Sequence, residues 1–539
     1  MPDLSEIFPE ALARALDGIP EPERWASPDD IDEALDEWSR AGVAIVELGQ
    51  SLERSQIRAA VFDIGAEPER TMLAWGYPHP DEPIGATGLL ILGEMARRGR
   101  LNDLQGWRLV LLPCADPDQA RRQLWLSGDG SARDWAAGVW RPTHLGLEVD
   151  YGFPIDWPPF LQVPTYDGRC HTEEQCKLVH GGPPCPQGER PWRTLPESLA
   201  LAAAIDRFRP ELIASMHSTH TSGDYTFLLR REDARVFDDL LAIPEASGTG
   251  RHLGEPIDRG RRWRNNAPDL IRELTLKNRQ SALERRKGYK PGFLYAGNAA
   301  AAAYIEALDW PAQFVCPETA LFRHPDFSDP NPSETRLELQ IGTEKRPGGK
   351  YLVTRFRDQG EWVIGQQEPA SGDQVGKRSR PYVPRSVLGV RALLRRRRAL
   401  HRGDLVWEKV SALPGLRDHL YRQERARISV PGSYVSDGSM LIFRARKDYR
   451  RRASRAQEAS FNWIWPLHTV SLLGNMRSWL FAQDPEEPEI IRAKAELEQI
   501  QEEEIQSLPE VLQREGDRAP AIRSQLDRVI RLMLFDPRL

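Results

Sequence analysis

MLAWGYPHPDEPIGATGLLILGEMARRG, residues 72–99, decides the fold. MLAWG (72–76) is a short apolar run closed by glycine, as a buried strand requires. From about residue 85 to 98 the apolar residues continue far enough for a helix. WRLVLLP (107–113) returns as a strand, and VAIVEL (43–48) and AAVFDIG (59–65) precede the stretch as two more. Downstream, Pro196 opens a helix through Phe208, ELIASMHS (211–218) reads as a strand, and QFVCPE (313–318) as another. Short, near-continuous apolar strands between helices predict an α/β fold whose sheet is covered on both faces.

The chain has 539 residues, 40% hydrophobic and 28% charged, enough to bury at least one large core. Its 73 basic and 79 acidic residues leave a formal charge of -6, so no global field draws it to nucleic acid or to an anionic membrane. No apolar run approaches the roughly 18 residues of a membrane span. The first residues, MPDLSEIFPEALARALDG, lack the basic and apolar regions of a secretory signal, and a cytoplasmic location is expected. Five cysteines in this length fit a reducing compartment better than a disulfide framework.

Three regions are expected. Residues 1–40 form an acidic helical extension, with capping signals at Ser5 and Ser27 and breaks at Gly18 and Pro20. Residues 41–330 hold the α/β pattern, with an insertion at about 158–192. Residues 331–539 form an additional α+β region: RLELQIG (336–342), KYLVTRF (350–356) and EWVIGQQ (361–367) read as strands, and 387–400, 488–508 and 520–535 as amphipathic helices.

The chemistry concentrates at strand ends. His79 and Glu82 stand three apart at a strand-to-helix turn, close enough for both to reach one metal ion, and His217 and Glu318 each end a strand. In open α/β sheets, ligands bind in the crevice beyond the carboxyl ends of the strands. Taken singly, His217 also fits a satisfied core histidine and Glu318 a partner for a surface base.

The order of motifs resembles the zinc metallocarboxypeptidase family, the funnelins, over residues 42–325. The matching residues are Gly49 and Ser51; His79 and Glu82; Asp116, Pro117 and Asp118; Trp140 and Arg141; Pro196 and Glu197; His217 and Ser218; and Glu318. The resemblance implies a mixed, mostly parallel sheet flanked by helices. It implies a catalytic Zn2+ on His79, Glu82 and His217, with Arg141 stabilising the oxyanion and Glu318 as general base. Two histidines and one carboxylate leave the fourth tetrahedral position of a catalytic zinc open. Tyr304 resembles the family's substrate-contacting tyrosine, and in AAAAAYIEAL (299–308) it equally fits a packed helix.

Two features depart from that family. Carboxypeptidases hold the substrate's terminal carboxylate with an Asn-Arg pair after a Val-Asp dipeptide, whereas Val149 and Asp150 are followed here by Tyr151, Gly152 and Phe153. The missing guanidinium removes the group best suited to grip a carboxylate. The turn Asp116-Pro117-Asp118-Gln119 also stands where the family prefers Asn-Pro-Asp-Gly.

Cys170, Cys176, His180 and Cys185, in RCHTEEQCKLVHGGPPCP, supply a Cys₃His set for a second, structural zinc; free thiols in a loop are the alternative. The run Arg395–Arg398 and the stretch DYRRRASR (448–455) carry no interleaved aromatics for base stacking, so solvated faces are expected rather than nucleic-acid binding. The expected partner is a peptide or small amide substrate, with no membrane. The leading expectation is a zinc metallopeptidase. The alternatives are a small-molecule amidohydrolase or deacylase on the same fold, and a non-catalytic scaffold.

Overall fold

A computed structural model describes residues 10–51, 53–128, 195–221, 223–229, 242–250, 312–322, 338–346, 349–358, 361–369, 449–452 and 518–534, with isolated residues between them. The larger sheet has eight strands: β1 (Ala44–Gln50), β2 (Gln56–Ile64), β3 (Arg70–Trp75), β4 (Trp107–Leu112), β5 (Leu212–Ser215), β6 (His217–Thr221), β7 (Tyr225–Leu229) and β8 (Gln313–Phe322). Their order is β1-β2-β4-β3-β5-β8-β6, with β7 also on β8. Pairing is parallel for β3·β4, β3·β5, β5·β8 and β6·β8, and antiparallel for β1·β2, β2·β4 and β7·β8. The sheet is therefore mixed and mostly parallel, flanked by helices. Because Glu318 pairs with both His217 and Tyr225, β6 and β7 lie on opposite edges of β8.

Alternation along the strands fills two cores. Met72, Ala74, Leu109, Leu111, Leu212 and Ala214 face one side, and Leu73, Trp75, Val110, Leu112, Ile213 and Phe314 face the other. The first core is closed by α1 (Glu10–Asp17), α2 (Pro28–Arg40), α3 (Pro83–Arg97) and, far along the chain, α5 (Arg518–Leu534). The second is closed by α4 (Pro196–Phe208), whose Ala200, Leu201, Ala204 and Ile205 are buried there.

Leu12, Leu16, Trp25, Ile31, Leu35 and Trp38 place residues 10–40 inside the first core. Ser27 caps α2 in a reciprocal capping box with Asp30, and Arg58 of β2 binds Asp32 and Asp36 of α2 at 2.8 and 2.5 Å. Trp38 presses edge-on against Phe62, with ring centroids 5.3 Å apart.

A second, smaller sheet is antiparallel and runs β11-β10-β9-β12, from β9 (Glu338–Arg346), β10 (Gly349–Asp358), β11 (Glu361–Pro369) and β12 (Tyr449–Arg452). The expected helices at 387–400 and 488–508 fall wholly or largely outside the described residues. Among the described residues, no helix is long and apolar enough to cross a membrane.

Candidate metal centre

Parallel β3 and β5 deliver their carboxyl ends to one edge of the sheet, and two unusual backbone positions turn the chain after β3. A Cβ on Gly76 would stand 2.5 Å from the backbone nitrogen of Ala86 and 2.6 Å from the Pro113 carbonyl, so only glycine fits between α3 and the segment after β4. Tyr77 follows in the left-handed region, with φ of 48°, a conformation that persists only where the surroundings enforce it. Here its ring is fully buried, and its hydroxyl donates 2.6 Å to the Ala26 carbonyl just before α2. Burial pushes the Tyr77 phenol well above its ordinary pKa, which keeps that donor protonated. His79 comes next, and the Glu82 N–H bonds back to its carbonyl at 3.2 Å. Glu82 sits at the N-cap of α3 with Pro83 behind it, where the helix dipole favours a carboxylate.

The third residue arrives from β6. Met216 breaks the run ELIASMHS into two strands: its N–H bonds to the Trp75 carbonyl at 3.0 Å, and His217 opens β6 directly after it. A Cβ on Gly85 would stand 2.4 Å from the Met216 Cβ and 2.6 Å from its carbonyl oxygen, so the first turn of α3 is pressed onto the residue before His217. Glu82 Oε2 accepts the Ser218 N–H at 3.0 Å and lies 3.0 Å from His217 Nδ1. The His79 and His217 rings meet edge to face, with centroids 5.1 Å apart. Ligand atoms of His79, Glu82 and His217 all lie within 4.8 Å of one another. Two imidazoles and a carboxylate converging at that spacing fit a divalent metal ion of the zinc class.

Glu318 is the parallel register partner of His217. Adjacent strands lie about 4.8 Å apart, which puts the two residues side by side at the same height of the sheet. Glu318 is buried, with 9% of the residue exposed. Cys316, two residues earlier on the same face, brings its sulfur to 3.8 Å from Glu318 Oε1, and His217, Cys316 and Glu318 form a second close group of ligand atoms. Sequence reasoning did not single out Cys316, although its i, i+2 spacing from Glu318 on a strand was the available signal.

A buried polar network lies behind this edge. The Arg528 guanidinium is fully buried; burial pushes its pKa below the ordinary value, opposed first by Asp224 and then by Glu318. Asp224 is also fully buried; it accepts from Thr249 Oγ1 at 2.7 Å, Ser524 Oγ at 2.5 Å and the Ala320 N–H at 2.8 Å. Neither Arg528 nor Asp224 was singled out from the sequence. In the sequence, Ser524, Gln525 and Arg528 stand among the other polar residues of an amphipathic helix, Arg523, Asp527 and Arg531, and nothing there marks them out.

Two of the matched motifs also meet. Ser51 Oγ donates to Asp118 Oδ1 at 2.6 Å, the Glu53 N–H donates to Asp118 Oδ2 at 2.7 Å, and Asp116 caps the helical turn Pro117–Ala120. Glu197 is buried at the start of α4, and its neighbour Ser198 donates to the Val149 carbonyl at 2.6 Å. Arg141, Tyr304, Gly152, Phe153 and the set Cys170, Cys176, His180 and Cys185 lie outside the described residues.

No protein-family model and no curated protein matches the chain. Similar solved structures include carboxypeptidase A from Helicoverpa armigera, with 16% identity, 58% of this chain and 71% of that one covered, and a TM-score of 0.31. Bovine thrombin-activatable fibrinolysis inhibitor, solved with tick carboxypeptidase inhibitor, shows 13% identity, coverage of 56% and 87%, and a TM-score of 0.29. A metallo-carboxypeptidase from Pseudomonas aeruginosa, solved with (2-guanidinoethylmercapto)succinic acid, shows 14% identity, coverage of 56% and 62%, and a TM-score of 0.29.

Proposed function

We propose that this chain is a zinc-dependent hydrolase of a peptide or amide bond, with His79, Glu82 and His217 as the metal ligands and Glu318 as the general base. The observation that carries the reading is the convergence of three ligand residues from two distant segments on one sheet edge, with Glu318 in register beside His217. Zinc held by two imidazoles and a carboxylate supplies a Lewis acid and lowers the pKa of water towards about 7. Glu318 then accepts the proton of the attacking water and returns it to the leaving amine nitrogen. Arg141 is assigned to the developing oxyanion and Tyr304 to substrate contact, both from the resemblance of their sequence surroundings.

A second reading keeps the metal and the base but changes the substrate to a small amide, such as an N-acyl amino acid. Gly152 and Phe153, where a carboxypeptidase carries its carboxylate clamp, favour it. Zinc-loaded protein should hydrolyse members of a panel holding free and C-terminally amidated peptides alongside N-acyl amino acids. A zinc chelator should abolish the activity, and added zinc should restore it. Preference for N-acyl amino acids selects the second reading, and preference for free over amidated peptides selects the carboxypeptidase. Hydrolysis that persists after zinc is stripped would refute both.

A further inference from the structure

Helix α5 begins about 300 residues after His217 and 200 after Glu318, and no metal ligand or base lies on it. Yet it touches the backbone of both. Gln525 Nε2 donates 2.6 Å to the carbonyl of His217 and 3.2 Å to that of Pro317, spanning β6 and β8 at the register where the ligand and the base stand side by side. One turn on, Arg528 Nη1 donates 3.1 Å to the carbonyl of Glu318 itself and 2.5 Å to that of Tyr225 on β7. Its Nη1 also reaches Thr226 Oγ1 at 3.0 Å, its Nη2 reaches Thr319 Oγ1 and Asp224, and its Nε bonds to Ser524 within the helix.

The direction of approach matters. Side chains alternate across a strand, and Arg528 takes Thr319, so Glu318 projects to the opposite face. The helix therefore grips the strands from the face opposite to Glu318. The same helix packs on α3, the helix that Glu82 caps: a Cβ on Gly88 would stand 3.5 Å from Leu526 Cδ2 and 3.7 Å from Ile522 Cγ2. All three segments that supply the candidate centre rest on one helix.

We infer that Gln525 and Arg528 are positioning residues of this centre, fixing the height and spacing of His217 and Glu318 through their carbonyls. The inference rests on the metal-hydrolase reading proposed above. A purely structural helix would be served by apolar side chains at these positions, and burying an amide and a guanidinium is costly unless they hold something in place. Here every nitrogen of the guanidinium has an acceptor, and among the acceptors are the carbonyl of Glu318 itself and the hydroxyl of its neighbour Thr319.

Cobalt separates positioning from folding, because its visible bands report ligand geometry. The full-length protein, Gln525→Met and Ile530→Val are each titrated with Co2+ and melted thermally. Ile530 is fully buried on the same helix beyond the Gln525–Arg528 turn, so its variant loosens packing alone. Gln525→Met should bind Co2+ about tenfold more weakly with shifted bands, as lost outer-shell support generally costs 10–100-fold in affinity. Ile530→Val should melt earlier yet keep wild-type affinity and bands. If Gln525→Met fails to fold, Arg528→Lys keeps the charge beside Asp224, gives up the grip on the Glu318 carbonyl, and should shift the bands through the displaced carboxylate. Wild-type affinity and bands in the polar variant, or equal weakening in Ile530→Val, overturn the inference while the metal reading stands. Wild-type protein that takes up no Co2+ sinks that reading and this inference with it.

Discussion

Glu318→Gln is expected to bind zinc with wild-type stoichiometry and to turn over about 10²–10⁴-fold more slowly, the range that general base catalysis contributes. The carboxamide keeps the size and shape of the side chain, so the register pair with His217 and the Arg528 bond to the residue's carbonyl both survive. What is lost is a group able to take a proton. The fall should appear in kcat measured at saturating substrate, with zinc content quantified on the same sample. A Glu318→Gln protein that keeps wild-type kcat would remove the residue from the mechanism.

Gly85→Ala should disrupt the centre without touching a ligand. Within a helix, Ala is better than Gly by about 0.8–1.0 kcal/mol, so propensity alone predicts stabilisation. The contact opposes this: the added Cβ would lie 2.4 Å from the Met216 Cβ and 2.6 Å from its carbonyl oxygen. Backbone cannot swing aside as a flexible side chain can, and overpacking of this kind costs about 1–3 kcal/mol. The strain has one outlet, which is to push α3 away from the β5–β6 junction and so part Glu82 from His217. We expect a lower melting temperature, a smaller rise in that temperature on adding zinc, and activity down about 10²-fold, the cost of a misplacement near 1 Å. A variant with a higher melting temperature and an unchanged zinc response would show that helix propensity wins and the close approach is slack.

The same contact shows where sequence reading stops. The run ELIASMHS has the apolar texture of one strand, and its start was readable. Its division at Met216 was not, because the break comes from the Trp75 carbonyl and from Gly85, both more than 100 residues earlier. The strands at 44–50, 56–64, 70–75 and 107–112 and the helix at 83–97 follow from local apolar runs and their Gly and Pro punctuation, so they fall within a few residues of their expected bounds. His79 and Glu82 were legible as a pair, three residues apart at a turn; His217 and Glu318 were expected to end their strands, whereas His217 opens β6 and Glu318 lies inside β8, which runs on to Phe322. Their convergence depends on strand order, which spacing does not encode.

Distance along the chain hid the rest. Residues 1–40 read as helical and acidic and 520–535 as an amphipathic helix, and Leu12, Trp38, Ile522 and Leu526 are buried from those stretches. That both ends of the chain close the same core beside the same sheet is a matter of tertiary packing. Asp224 is the clearest case: it sits in the short segment between β6 and β7 with no motif around it, yet Thr249, Ala320, Ser524 and Arg528 all converge on it. A buried ion pair of this kind is recognisable only once its partners are in place.

Zinc content per chain tests the central claim most directly. Full-length protein and the double variant His79→Ala, His217→Ala are loaded with zinc, freed of excess metal and quantified side by side, so that any zinc bound elsewhere in the chain cancels. The variant should hold one zinc per chain fewer than the wild type. Equal zinc in the two proteins would contradict a metal centre on His79, Glu82 and His217.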